Sequence, residues 1–250
     1  MPRPYRVLLT RPKADSEALA VELAARGIDS VIAPILDIQP TGVPLNPPPD
    51  TQILIVTSGN AFSVMAGHGI DRALPVLAVG VDTAERARAY GFTQVESVGG
   101  TAETLIELVV ERFSPTAGPL LWASGEDIRV DLVTRLAAYG FNIVRRIVYR
   151  ACTARTLPQA AINALEVNAM ESTNINGVLF FSPRTASCFV SLVEKAGLTD
   201  RTRHLIAHCL SPTVAEAVSA AVWLDIRTAL RPRRQDLLAN LDGHVSPNAN

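Results

Sequence analysis

Short runs of β-branched and other apolar residues alternate along the chain with Ala/Leu-rich stretches whose apolar positions recur at helical spacing. This is the pattern of an α/β protein in which mostly parallel sheets are covered by helices. The strand candidates are Val7–Leu9, Ile53–Val56, Val76–Val79, Leu120–Trp122, Val178–Phe181 and Leu205–Ala207. Each runs into a polar or glycine-containing turn and then a helix, predicted over 13–26, 60–67, 82–90, 127–139, 184–196 and 213–221. Several helices close on glycine followed by an apolar residue: Gly27-Ile28, Gly91-Phe92, Gly140-Phe141 and Gly197-Leu198. Glycine suits the left-handed position just past a helix end.

The same pattern occurs twice. Leu19, Leu23, Ala24, Ala25 and Gly27 fall on Leu132, Leu136, Ala137, Ala138 and Gly140 at an offset of 113. Segment 53–65 matches 177–189 at an offset of 124, with Ser58 on Ser182 and Ser63 on Ser187, and Gly80–Ala84 matches Ser211–Ala215 at 131. The chain therefore reads a, b, a′, b′, and two similar domains follow. Contiguous pairing needs one linker near Ser114–Gly118. Swapped pairing makes b and a′ a central inserted domain and needs two crossings, near 35–50 and 149–176. Pro44, Pro47, Pro48 and Pro49 mark the first crossing, and polar 168–176 marks the second. Apolar 34–38 and 147–151 could pair there as a two-stranded connector, so the sequence leans towards the swap.

Composition narrows the function. The 250 residues are 48% hydrophobic and 19% charged, enough apolar material for sizeable cores. Twenty-three basic against 24 acidic residues leave a net charge of −1, without the positive field that non-specific nucleic-acid binding uses. No apolar run approaches the roughly 20 residues of a membrane span. Met1–Arg6 leads directly into a strand-like segment rather than a signal peptide, which predicts a cytoplasmic protein with no membrane or nucleic-acid partner. Cys152, Cys188 and Cys209 are odd in number and widely spaced, so they are read as three small buried thiols rather than a disulfide or metal framework.

In parallel α/β sheets, ligands bind beyond the carboxyl ends of the strands. Six turns qualify: Thr10-Arg11-Pro12, Thr57-Ser58-Gly59-Asn60, Gly80-Val81-Asp82-Thr83, Ser124-Gly125-Glu126, Ser182-Pro183-Arg184-Thr185 and Ser211-Pro212-Thr213. Hydroxyls, glycines and backbone N–H groups at helix starts make sites for carboxylate or phosphate, and a cleft between two such domains would suit a large polyanion. Helix capping is the plain alternative for every one of these serines and threonines. Arg11 and Arg184 sit where a bidentate carboxylate contact is available, as does, less directly, Arg231-Pro232-Arg233-Arg234; each is otherwise a solvated surface charge. His204 and His208 flank a strand, where four-residue spacing does not bring them to one face, and no metal site is expected. There is no GxSxG, GxxxxGK[ST] or GxGxxG in a suitable context, which removes the main support for esterase, nucleotide-hydrolase and dinucleotide-oxidoreductase readings.

Taken together, Val7–Pro12, Val56–Ala61, Ala78–Gly80 with Thr83-Ala84, Tyr149 after Val148, Phe181–Arg184 and Cys209–Thr213 resemble the uroporphyrinogen-III synthase family in their order and spacing. Two positions depart from the usual pattern: Ser211 stands where glycine is usual, and Phe181 stands where threonine is common. The resemblance implies two similar doubly wound parallel-sheet domains of the HemD type joined by a two-stranded β connector. The outer domain would comprise 1–35 and 151–250, and the inserted one 36–150. It implies a cofactor-independent hydro-lyase of haem biosynthesis acting on hydroxymethylbilane, a linear tetrapyrrole with eight carboxylates. Tyr149 would be the acid at the departing hydroxyl. Thr10, Arg11, Ser58, Asn60, Gly80, Thr83, Ser124, Ser182, Arg184, Ser211 and Thr213 would hold substrate. No metal or cofactor is implied. A monomer is expected, with room for transient contact with hydroxymethylbilane synthase. Because the substrate closes unaided to the non-inverted isomer, much of catalysis would lie in folding it, and most single substitutions should act modestly. The competing readings are a non-catalytic two-domain sensor of small anions and an inactive paralogue of the synthase. The tail after Leu241 is expected to be disordered.

Overall fold

The computed structural model describes residues 5–65, 69–99, 101–166 and 175–242. The expectation for the tail, part of the polar crossing at 168–176 and the end of the helix predicted over 60–67 lie outside them. The chain divides into two compact units, Met1–Asp37 with Thr153–Asn250, and Ile38–Cys152.

The first unit holds β1 (Arg6–Leu9), α1 (Lys13–Ala25), β2 (Asp29–Ile32), α6 (Gln159–Glu166), β9 (Gly177–Phe180), α7 (Pro183–Lys195), α8 (Thr199–Thr202), β10 (Ile206–Cys209), α9 (Pro212–Val218), β11 (Asp225–Thr228) and α10 (Arg234–Ala239). Its sheet has the order β11-β10-β9-β1-β2, parallel throughout. The second unit holds β4 (Ile53–Val56), α2 (Asn60–Val64), β5 (Val76–Ala78), α3 (Val81–Ala89), β6 (Val95–Ser97), α4 (Ala102–Arg112), β7 (Leu120–Gly125), α5 (Leu132–Ala137) and most of β8 (Ile143–Thr153). With β3 (Leu36–Pro40) they give the order β3-β8-β7-β4-β5-β6. Matched through the internal repeat, β1, β2, β9, β10 and β11 correspond to β7, β8, β4, β5 and β6, and the two strand orders coincide. The sheets thus join a with b′ and b with a′.

Both faces of each central strand are buried, so these strands read as continuous apolar runs rather than as an alternation. In β1, Leu8 packs into the core of α6, α7 and α9, while Val7 and Leu9 face α1 and the last helix. In β4, Leu54 and Val56 pack with Phe62 and Phe92, while Ile53 and Ile55 pack with α4 and α5. The repeat extends to the helix ends. Gly27 and Gly140 have φ of 72° and 84°, and beyond them the Ile28 and Phe141 amides donate to the carbonyls of Leu23 and Leu136 at 3.0 and 3.2 Å. This closes each helix in the Schellman manner.

β3 and β8 are neighbours in the sheet. The Thr41 amide donates to Val148 O and the Ala154 amide to Ile35 O; numbers rise on one strand as they fall on the other, so the pair is antiparallel. The chain passes between its two units in these paired strands. The linker reading of 149–176 needs correction, because β8 runs to Thr153 and α6 occupies 159–166, anchored by buried Ala161 and Leu165. The helix predicted over 127–139 begins only at Leu132, because the Asp131 carboxylate accepts from the amides of Val133 and Thr134 and caps it there. The cysteines also differ from expectation: Cys209 is buried, whereas Cys152 and Cys188 are half-buried. No described helix is long and apolar enough to cross a membrane.

Candidate functional site

Parallel pairing brings the turns after β4, β5 and β7 to one edge of the second unit's sheet. β8 runs parallel to β7 from Leu120↔Ile143 to Ser124↔Ile147. The register then slips, so that Gly125 stands opposite Tyr149. This irregularity places Tyr149 at the same edge. Tyr149 is buried in the apolar cluster that also holds Val56, Phe62, Ala123 and Val148, and the side chains of Ser58 and Asn60 lie near enough to its hydroxyl to act on its titration. Burial raises the phenol pKa above that of an ordinary tyrosine. Hydrogen bonding to Ser58 and Asn60 draws it partly back, and the charge of Asp127 adds to the rise. The phenol therefore keeps its proton at neutral pH.

Beside this trio, Gly80 precedes the first turn of α3 and Thr83 is buried within that turn. Ser124 faces inward, accepting from Arg145 Nε at 2.8 Å and donating to Gly125 O at 3.0 Å.

In the first unit, the turns after β1, β9 and β10 share the carboxyl edge of its sheet. Thr10 is buried with its hydroxyl donating to Leu179 O at 2.9 Å, which commits it to joining β1 and β9. Arg11 donates to Asp15 at 2.8 Å and lies 4.4 Å over the ring of Phe181, so it is held in place rather than solvated. Ser182 caps α7, accepting from the Thr185 amide at 3.2 Å and lying 2.8 Å from the Thr185 hydroxyl. Arg184 is exposed on the first turn of α7. Ser211 precedes α9 without capping it through its side chain, and its hydroxyl lies 2.9 Å from that of exposed Thr213. In the arginine cluster that follows, Arg233 is paired with Asp236 at 2.8 Å. Ser182→Ala is expected to cost about 1 kcal/mol of stability through the lost cap, measured by urea unfolding, whether or not Ser182 also meets substrate.

Residues 17–239 match the family model described as uroporphyrinogen-III synthase HemD. The chain belongs to the uroporphyrinogen-III synthase HemD family. Among solved structures, it resembles the uroporphyrinogen-III synthetase of Helicobacter pylori, at 18% identity over 94% of this chain and 97% of that one, with a TM-score of 0.59. It also aligns with a mutant uroporphyrinogen III synthase of Thermus thermophilus, at 17% identity over 96% and 98% of the two chains, with a TM-score of 0.49. None of the curated proteins compared with it matches. Membership of the HemD family makes this an enzyme of tetrapyrrole biosynthesis with a small tetrapyrrole substrate.

Three further residues shape this HemD-family site: Gly125, which the sequence offers only as part of a candidate turn, and Arg86 and Arg145, which it does not single out. A Cβ on Gly125 would come within 2.6 Å of Tyr149 Cζ and 2.9 Å of its hydroxyl, so the bare backbone is the seat of the ring. The stem of Arg86, from α3, lies against Gly59 between Ser58 and Asn60. Arg145 binds the turn that contains Gly125. A glycine in the turn predicted after Leu120–Trp122 is the one visible signal among these, but its partner is set by strand register.

Proposed function

We propose that this protein closes hydroxymethylbilane to uroporphyrinogen III, with inversion of ring D and loss of water. The observation that carries the proposal is the family match over 17–239, within which the sequence resemblance sets Tyr149 on the family's tyrosine. The place of Tyr149 at the carboxyl edge of the sheet, opposite Gly125 and near Ser58 and Asn60, supports its role as acid.

The chemistry follows from what these side chains offer. The lone pair of a pyrrole nitrogen expels the hydroxymethyl oxygen while Tyr149 donates a proton to it, and water leaves an electrophilic azafulvene. The substituted carbon of ring D attacks that carbon to give a spiro-pyrrolenine, which fragments and recloses with the ring inverted. The proton lost on final rearomatisation balances the one that Tyr149 gave up. Ser58 and Asn60, which favour the charged form of the phenol, would ease its loss of the proton. The resemblance would have Arg11, Gly80, Thr83, Ser182, Arg184, Ser211 and Thr213 take carboxylates through hydroxyls, guanidinium groups and helix-start amides. Thr10 and Ser124 would shape those edges from inside. No step in this scheme calls for a cofactor.

The test supplies hydroxymethylbilane in large excess over protein and follows formation of uroporphyrinogen III against a protein-free control, because the substrate also closes unaided. Many turnovers per protein are expected. Saturable binding without turnover would replace the enzyme with an anion-binding sensor or an inactive relative.

A further inference from the structure

We propose that Arg145 is a positioning residue for the Tyr149 phenol, acting through the turn Ser124–Glu126; the inference rests on the role given to Tyr149 above. Arg145 lies on β8 four residues before the tyrosine and opposite Trp122 of β7. Its guanidinium donates from Nε to Ser124 Oγ, and from Nη2 to Gly125 O and Glu126 O, all at 2.8 Å. It also stands 5.2 Å over the ring of buried Trp122, and its charge is felt by the carboxylate of Asp131.

The acceptors belong to the stretch where the β7–β8 ladder slips. Two carbonyls at that irregularity are satisfied by one planar fork. The same turn meets the tyrosine directly. The Glu126 amide donates to Tyr149 O at 2.9 Å, and the Gly125 backbone lies against the ring. Glu126 is further tied to Arg150 at 3.1 Å. Residues 145, 149 and 150 of β8 therefore grip one turn, and that turn fixes where the phenol sits. A lysine at 145 offers a single point of attachment and cannot span the three acceptors with the same geometry.

The experiment uses the full chain labelled with 13Cζ-tyrosine. Four tyrosines give a spectrum in which Tyr149→Phe identifies the resonance. Arg145→Ala and Arg145→Lys are compared with wild type after thermal unfolding has verified that each is folded; if Arg145→Ala does not fold, Arg145→Lys carries the test. The Tyr149 resonance is expected to move in both variants, more in the alanine. Turnover is expected to fall about 10-fold to 100-fold in Arg145→Ala, as for a misplacement of the reacting group by about 1 Å, with intermediate loss in the lysine. KM is expected to change less than kcat, because the phenol acts only at the departing oxygen whereas Ser124 only lines the substrate edge. A Tyr149 resonance and titration unchanged in a folded Arg145 variant overturns the inference, whatever happens to stability or turnover. The readouts separate the two proposals: normal turnover of Tyr149→Phe removes the acid, whereas an unmoved Tyr149 resonance removes the clamp.

Discussion

Tyr149→Phe is expected to lower formation of uroporphyrinogen III by about 100-fold, the lower end of what a positioned general acid contributes, while leaving a folded protein. The ring keeps its place in the apolar cluster with Val56, Phe62 and Val148, and loss of the hydroxyl costs about 1 kcal/mol. The effect should fall on kcat rather than KM, because the proton is used only at the departing oxygen. The pH dependence has a definite sign. Burial holds the folded-state pKa of Tyr149 above its unfolded value. The stability tied to the neutral phenol is therefore fully present below the unfolded pKa, about 10, and is lost as pH rises through the folded value. Tyr5, which lies 3.0 Å from His208 and is pushed up to about 12 by burial despite the nearby charge of Arg227, behaves in the same way. Wild type should thus lose stability above about pH 10 more steeply than Tyr149→Phe, and its turnover should show no loss between pH 7 and 9 from this phenol. Denaturant unfolding at neutral and alkaline pH, beside a pH–rate profile, checks both statements. Turnover equal to wild type in the folded phenylalanine variant would remove Tyr149 from the reaction.

Gly125→Ala carries the second large effect, and it acts by displacement. The added methyl would lie 2.6 Å from Tyr149 Cζ and 2.7 Å from Cε2, closer than non-bonded carbons approach. The ring is buried and the turn is bound by Arg145, so relief requires one of them to move. Overpacking of this kind costs about 1–3 kcal/mol. Moving the phenol away from Ser58 and Asn60 should also cut turnover about 10-fold to 100-fold. The double variant Gly125→Ala/Tyr149→Phe should lose much less activity than the product of its two single changes, because both act through the same hydroxyl. Multiplicative losses in that cycle would show that Gly125 acts elsewhere.

The strongest strands were legible because both their faces are buried, and an apolar run such as Ile53–Val56 needs no partner to be recognised. The edge strands were not. Asp29–Ile32, Val95–Ser97 and Asp225–Thr228 lie at the margins of their sheets and carry charged or half-exposed residues, so no apolar run marks them. The helix Ala102–Arg112 also escaped, although Thr101 caps it and Leu105, Ile106 and Val109 line its buried side. The internal repeat was the richest signal, since Gly27 and Gly140 mark equivalent helix ends before any contact is known.

The site was legible in part. Ser58 and Asn60 could be named because hydroxyl-bearing turns after strands are visible in one dimension, and Tyr149 through the family resemblance. Their meeting depends on a register slip between β7 and β8, which no local pattern encodes. Arg145, four positions before Tyr149 on a strand, looks like an ordinary surface charge until Ser124, Gly125 and Glu126 are brought beside it.

The most direct test of the central claim is the isomer formed. Porphobilinogen and a porphobilinogen deaminase are incubated with and without this protein, the products are oxidised, and uroporphyrins I and III are separated chromatographically. Isomer III should dominate only when the protein is present, because hydroxymethylbilane left alone closes to isomer I. Isomer I predominating to the same extent in both reactions would contradict the assignment of synthase activity.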